Sequence, residues 1–551
     1  MSTTTAAAQP AAESGGQMSH RQILEALSGL LLAMFVAILS STVVSAALPK
    51  IIADVGGGQS AYTWVVTATL LTMTISTPIW GKMSDLFNRK QLIQLGLVIY
   101  LGGSILAGFA QSSMWLIGAR AVQGVGVGAL TALVQVILSD LVSPRERGRY
   151  MGYLGAVFGV GTVAGPVVGG LLTDNLGWRW CFFVGIPFAL IALVLLQRTL
   201  HLPTKRREDV HIDIPGGFLM AAGVSSILIW VSLAGKNFDW MSWQTALMVV
   251  GGIVLLFGAV MVERRAKEPL IPLELFENRT VVMAVIASVA VGIAMFGTTV
   301  FLTQYMQLAR GYSPTESGLL TIPMVIGLFG SSTLSGRRIS QTGHYKNFML
   351  AGAVLLTVGL GLMGMIDEGT SLVEVGLFML VVGMGVGMLM QNLILAVQNV
   401  IPARSIGAGS ALIAFFRSLG GAIGVSVMGA ILGTKVTSSI EAGLREQGIP
   451  ASGLGGGSIP DLATLPAPVR EIVEHAYGTG IAEVFLLGAP MGIIAFIAVW
   501  FLREKALGTK SGIELAREEA AAEADAGADT APAGGPTPRV TPGTRPTVSS
   551  R

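Results

Sequence analysis

Runs of about 20 mostly apolar residues recur along nearly the whole chain, and a helix needs about that length to cross the hydrocarbon core of a bilayer. Fourteen such runs can be marked: 23–48, 62–80, 92–110, 114–140, 150–173, 180–196, 215–234, 245–262, 281–306, 314–334, 347–366, 372–397, 408–433 and 481–502. Only 12% of the 551 residues are charged, against roughly 25% in soluble domains. A soluble globule, a disordered chain and a nucleic-acid-binding chain are therefore excluded. The net charge of +3 forms no basic patch of the kind nucleic acid needs. The 72 glycines follow no collagen period; in membrane helices glycine lets backbones approach. The fold class expected is an all-α polytopic membrane protein with fourteen transmembrane helices.

Orientation follows from the basic residues. With the N-terminus in the cytoplasm, the inner segments hold Lys82, Arg89, Lys90, Arg145, Arg147, Arg149, Arg337 and Arg338 among many others. The outer segments hold only Lys50, Arg179, Lys236, Arg310, Lys435, Arg445 and Arg470, a roughly threefold bias that obeys the positive-inside rule. Both termini are expected inside. Residues 1–20 and 506–551 read as disordered cytoplasmic tails, since small, polar and acidic residues there cannot bury a core. Residues 435–480 read as a long outer loop, with a short amphipathic helix from Pro468 to Tyr477.

An internal repeat is visible. The loop after the second run begins Gly81-Lys82-Met83-Ser84-Asp85 and places Asn88 seven residues after its glycine. The loop after the tenth begins Gly336-Arg337-Arg338 and places Gly343 at the same spacing. Asn and Gly tolerate the left-handed backbone of a tight turn. Runs one to six then repeat as nine to fourteen, giving a six-helix bundle over 21–200, an inserted helix pair over 201–265 and a second six-helix bundle over 266–505. Two such halves around a central path are the layout of a secondary transporter.

These motifs resemble the major facilitator superfamily, and within it the fourteen-span drug:proton antiporter branch of multidrug efflux type, over roughly residues 20–505. Gly81 to Lys90 resembles the signature loop between the second and third helices, with Asn88 in place of the second glycine. Arg120-Ala-Val-Gln123-Gly124 resembles the fourth-helix motif. Gly161-Thr-Val-Ala-Gly165-Pro166-Val-Val-Gly169-Gly170 resembles the fifth-helix antiporter motif. Leu48-Pro49 with Thr42 resembles the end of the first helix. Trp178 to Pro187 resembles the entry to helix six, with Gly185 where the branch has Asn. Ser40 stands where the branch commonly carries an aspartate.

The resemblance implies roles. Gly81, Lys82, Asp85, Arg89 and Lys90 form a gating loop, in which Asp85 pairs with Arg89 or faces another helix end. Arg120, deep in a span, needs a cavity or partners; with Gln123, Ser40 and Thr42 it is assigned to proton coupling and the cavity. Gly161, Gly165, Gly169 and Gly170 permit close helix packing, and Pro166 bends that helix. Gln391, Asn392 and Arg417 are cavity candidates in the second half, and Gln304, Tyr305 and Gln307 are weaker ones.

No Asp or Glu lies near the middle of any run. Asp140, Glu263, Glu316, Glu374 and Glu483 fall near ends, leaving Asp140, Glu374, Glu483 and His475 as proton carriers of last resort. This disfavours cationic cargo. The five histidines are scattered and no metal-ligand spacing or nucleotide site appears, so neither an enzyme nor a primary pump is expected, and no cofactor. The function expected is export of hydrophobic or amphipathic small molecules across a bacterial plasma membrane by alternating access, with protons as coupling partner, membrane lipids around it, and a monomeric state. A lipid exporter of the same fold with weak proton coupling is the alternative.

Overall fold

The computed structural model describes residues 20–55, 59–200, 213–234, 238–266, 269–402, 405–448 and 466–508. The two expected tails fall almost wholly outside these residues, and the stretch 201–212 does so entirely. The described residues are helical, with one isolated β-bridge between Ala234 and Phe238. The helices are α1 (His20–Asp54), α2 (Gln59–Leu86), α3 (Arg89–Gly108), α4 (Ser113–Leu141), α5 (Pro144–Asn175), α6 (Trp180–Phe183), α7 (Gly185–Thr199) and α8 (Ile214–Leu233). They continue as α9 (Trp243–Glu263), α10 (Arg279–Gln304), α11 (Pro314–Leu320), α12 (Ile322–Thr342), α13 (Lys346–Met363), α14 (Leu372–Gln398), α15 (Ile406–Glu446) and α16 (Ala467–Phe501). A π-helical turn, Tyr305–Ala309, extends α10.

Each apolar run in the sequence is helical. Twelve of the helices among the described residues are long and apolar enough to cross a membrane, so the fourteen-span count is not reached by that measure. With α6 and α7 counted as one span, and α11 and α12 as another, the two that fall short are α2 and α8. Thr67, Thr69, Thr72, Thr74, Ser76 and Thr77 make α2 polar, and the described apolar part of α8 is only Pro215–Val231.

Helix starts follow local capping chemistry, in which a side-chain oxygen takes a free N–H of the first turn. Ser112, Ser143, Ser242 and Ser371 cap α4, α5, α9 and α14 in this way. Ser313 and Glu316 form a reciprocal capping box on α11. Of the two predicted turn-formers, Gly343 is left-handed at φ 76°. Asn88 is not: at φ −65° and ψ 114° it caps α3, its Oδ1 accepting from the Lys90 N–H at 2.9 Å. The two loops share spacing but not backbone.

The expected outer loop 435–480 is largely helix. Helix α15 runs 41 residues to Glu446, and α16 starts at Ala467. Their extensions pair through a small core of Leu444, Val469 and Val473 and are joined by Lys435–Glu483, while Arg470 and Glu474 pair one turn apart within α16. The glycines and prolines that suggested a loop cluster in 449–465, outside the described residues.

Packing separates the chain by sequence. Helix α1 packs on α5 and α7, and α2 and α3 pack on α4. Their apolar cores draw only on residues 23–200. Helix α10 packs on α15 and α16, and α14 on α12 and α13, with a core drawn from residues 275–507. The two sets meet along α2–α15 and α5–α12. Helices α8 and α9 pack on each other, and Met220, Val224 and Leu228 of α8 share a core with Phe415 of α15 and with Leu71 and Ile75 of α2.

Candidate functional site

The end of the bundle that carries Lys82, Arg89 and Lys90 is stitched together by side chains reaching backbone. Lys90 donates to the Gln197 carbonyl at 2.8 Å, and Lys346 donates to the Trp500 and Leu502 carbonyls, each at 2.8 Å. At this basic end α2 crosses α15. Asp85 is buried and accepts from the Gly407 N–H through Oδ1 and from the Ala408 N–H through Oδ2, both at 2.9 Å. Its carboxylate thus caps α15 from the opposite helix set, where the unsatisfied N–H groups and the positive end of the helix dipole favour an anion. Charge-assisted bonds of this kind contribute about 1.5–3 kcal/mol each when buried.

Two glycines permit that approach. A Cβ on Gly81 would collide with Ala411 and stand 2.9 Å from the Gly407 carbonyl oxygen; a Cβ on Gly407 would collide with Ser84. Arg89 holds Asp85 from behind at 3.6 Å, donates to the Ser84 carbonyl at 2.9 Å, and pairs with Asp140 on α4. Lys82 is buried close enough for its charge to act on Asp85.

The second seam has a different chemistry. Along α5, a Cβ on Gly155 would stand 3.3 Å from Ser332 Oγ, Gly159 leaves no room for a side chain beside Val325, and a Cβ on Gly170 would stand only 2.7 Å from Thr315 Oγ1. Pro166, through which α5 runs without a break, packs on Gly318 of α11. Gly161 and Gly165 turn the other way, onto α1: Gly161 meets Ile38, and Gly165 leaves no room beside Thr42. Thr42 donates to the Gly161 carbonyl at 3.0 Å. Gly169 is buried, and its carbonyl accepts from Thr173 at 2.6 Å. The glycine motif therefore serves two partners, α1 within its own set and α11–α12 in the other.

A buried polar cluster lies inside the first set. Arg120 is 3% exposed; its Nη1 donates to Gln123 Oε1 at 2.6 Å, and Gln123 Nε2 donates to Ser104 Oγ at 2.8 Å. The fully buried Tyr100 hydroxyl lies beside Ser104 and Ser40. The same hydroxyl abuts Gly185, leaving no space there for any side chain. Ser40 also donates to the Ala37 carbonyl at 3.0 Å, and Arg120 Nε, though buried, has no hydrogen-bond partner.

In the second set, Gln391 Oε1 accepts from Gln135 Nε2 of α4 at 3.1 Å, a bond across the two sets. Gln135 Oε1 and Gln391 Nε2 remain buried without partners. Asn392 donates back to the Met388 carbonyl at 2.7 Å. Arg417 is half-buried and reaches only the Met390 carbonyl, at 3.4 Å. Tyr305 is fully buried and donates to the Asp367 carbonyl at 2.6 Å, in the turn between α13 and α14 that Arg310 also clasps through the Glu368 and Thr370 carbonyls. In that exposed turn, hydrogen bonds from Thr370 first and from the Gly369 and Thr370 backbone hold the Asp367 carboxyl below the usual carboxylate range.

Residues 30–425 match the model of the Major Facilitator Superfamily. The chain belongs to that superfamily. Among relatives of this transporter, the multidrug transporter protein MdtP of Bacillus subtilis is 34% identical over 420 residues, 76% of this chain and 77% of the relative. An MFS-type efflux pump of the fungus Mycosarcoma maydis, MMF1, is 30% identical over 489 residues, 87% of this chain and 78% of the relative. Among solved structures, the proton:xylose symporter XylE aligns at a TM-score of 0.59 with 14% identity, covering 91% of this chain and all of that one. That likeness speaks for the fold alone. The transporter is thus a multi-pass membrane protein whose relatives are carriers, not enzymes.

Sequence reasoning missed four residues that complete these arrangements: Tyr100, Gln135, Gly407 and the pairing role of Asp140. Tyr100 and Ser104 sit one turn apart in an otherwise apolar run, which marks a shared polar face. Gly407-Ala408-Gly409 opens α15 with small residues, the usual sign of a close backbone approach. Gln135 carried no comparable signal. The fallback proton carriers gain partners rather than a shared site: Glu483 pairs with Lys435 at 3.0 Å, and His475 with Glu368 at 2.7 Å.

Proposed function

We propose that this MFS transporter exports hydrophobic or amphipathic small molecules across the plasma membrane by alternating access, in exchange for protons. In this reading residues 21–200 and 266–505 are the two halves, α8 and α9 are an inserted pair, and α2 and α8 cross the membrane as well, making fourteen spans with the basic end in the cytoplasm. The carrying observation is the Asp85 carboxylate of one half seated on the α15 N-terminus of the other. Such a contact forms when the inner ends are together and must break for cargo to pass. Gly81, Lys82, Arg89 and Lys90 shape and hold it.

Arg120 with Gln123, Tyr100 and Ser40 supplies a polar centre where a mobile proton changes the field on a buried cation. Replacing Arg120 with Ala is expected to flatten the pH dependence of export while the protein remains inserted; an unchanged pH profile would remove this role. The relatives named for multidrug transport and efflux support the cargo class.

The lack of a carboxylate in mid-span favours a second reading, a lipid-like exporter with weak proton coupling. The deciding experiment measures susceptibility of cells with and without the protein to a compound panel, then repeats it with an uncoupler. Loss of export on uncoupling supports antiport; export that survives it supports the lipid-like reading; no change in susceptibility to any compound rejects drug export.

A further inference from the structure

The interior of the apolar stretches holds two charges well away from the ends, and both are arginines, Arg120 and Arg417. They differ in company. Arg120 is buried against Gln123 and the Tyr100 cluster. Arg417 lies about three turns into α15 and is half-buried. Among the described residues no carboxylate pairs with it. Of the five N–H donors of a guanidinium, one makes a long 3.4 Å contact with the Met390 carbonyl.

An arginine at membrane depth with no acid is expensive unless it faces a polar path or a partner that comes and goes. One residue beyond that carbonyl, Gln391 Nε2 is a second buried donor with no acceptor. Phe416 beside Arg417 is half-buried and packs edge-on against Phe415, with ring centroids 5.2 Å apart. A guanidinium with donors to spare, on a helix turn that also carries an aromatic surface and one residue along α14 from its Met390 contact to a buried idle donor, matches an acid group carried on an apolar body.

We infer that Arg417 is the anion-recognition point of the transport path and that the preferred cargo is an anionic amphipath, its carboxylate, sulfonate or phosphate paired with the guanidinium and assisted by Gln391. This rests on the export reading above and narrows its cargo. Asp140, Glu263, Glu374 and Glu483 lie toward the ends of their apolar runs, and no acid lies near mid-run to offset Arg120 and Arg417, so the middle of the interior is electropositive. Cationic drugs are therefore selected against by repulsion as well as by a missing partner.

The test uses the purified full-length protein in liposomes of zwitterionic lipid. Two fluorescent amphipaths are compared that differ only in carboxylate against carboxamide, with a quaternary ammonium analogue as the third. Wild type is expected to carry the acid with kcat/KM at least about tenfold above the amide, the worth of one or two charge-assisted hydrogen bonds. Arg417→Gln is expected to bring acid and amide within about twofold while amide flux persists, and Arg417→Lys to keep part of the preference. Equal handling of acid and amide by wild type, a preference that survives Arg417→Gln, or best transport of the ammonium analogue would overturn the inference. Saturable flux of none of the three would instead count against the export reading itself. A parallel arm adds an anionic phospholipid: competitive loss of acid transport assigns the anion to a lipid head, and undiminished transport assigns it to a free amphipath, both with Arg417 as its site.

Discussion

The two seams between the helix sets are built from related loops yet closed by different forces. Helix α2 ends in Gly81-Lys82 with Asp85 four residues after the glycine, and that carboxylate takes two N–H groups of α15. Helix α12 ends in Gly336-Arg337, and the position matching Asp85 is Ser340. Where the first loop is buried around Lys82, Asp85 and Arg89, Arg337 and Arg338 are exposed. The α5–α12 seam relies instead on glycines that let helices touch along their length. One seam is closed by a charged cap with two defined hydrogen bonds; the other is a small-residue contact. A carrier that must open one end without separating its halves has a use for both. The capped seam also has a lateral neighbour, since α8 lies against both α2 and α15. The second seam has no inserted helix beside it among the contacts described.

The largest effect should come from wedging the capped seam. Gly81→Val places a branched side chain where backbone meets backbone, and overpacking of this kind costs about 1–3 kcal/mol or more. Export should fall about 100-fold with insertion intact, measured as flux per molecule at the membrane. Normal flux would mean that this crossing need not form during the cycle.

Asp85→Asn comes next. It keeps the shape but loses the charge and can offer only one acceptor oxygen to two N–H groups, costing about 1.5–3 kcal/mol. Spin labels on the basic ends of α2 and α15 should report a shift of about tenfold or more toward separated ends. An unchanged distance distribution would show that packing alone closes the seam.

Ser340→Asp asks whether the second seam can be capped. If its end meets the α5 N-terminus as α2 meets α15, a new cap adds about 1 kcal/mol, and opening should slow about fivefold in single-turnover flux. No change would mean that the repeat does not extend to cap geometry. Gly159→Ala should act least. The neighbour it strikes is the Val325 side chain rather than backbone, so about a twofold change in cross-linking rate between Gly155→Cys and Ser332→Cys is expected. A loss as large as that of Gly81→Val would make the two seams equivalent and end the contrast.

Much of this was readable along the chain because membrane helices declare themselves. A run that must cover its own backbone in lipid has to be long and apolar, so all sixteen helices fall within or beside the marked runs. The glycine spacing on α5 and the depth of Arg120 were equally local facts. Local reading failed where hydropathy and structure part. Helices α15 and α16 continue past their apolar stretches because they pair with each other, and the polar α2 is a long helix because hydroxyls of Thr69, Thr72, Ser76 and Thr77 bond back to its own carbonyls while α4 packs on it. Asn88 carries the composition of a turn, yet a nearby N–H made it a cap.

Partner choice could not be read from sequence, because it joins residues hundreds of positions apart. Asp85 could have paired with Arg89 alone; the fold brings it to Gly407 and Ala408 as well. Ser40 gives no hint of Tyr100, nor Gln391 of Gln135. The amino-acid order by itself determined that this chain is helical, made for a membrane, and poor in interior acids, because periodicity, length and transfer free energy act residue by residue. Only the tertiary structure decided which charges are spent on holding helices together and which, such as Arg417, are left with donors to spare, because electrostatic pairing falls off within a few ångströms and depends on which helices the packing makes neighbours.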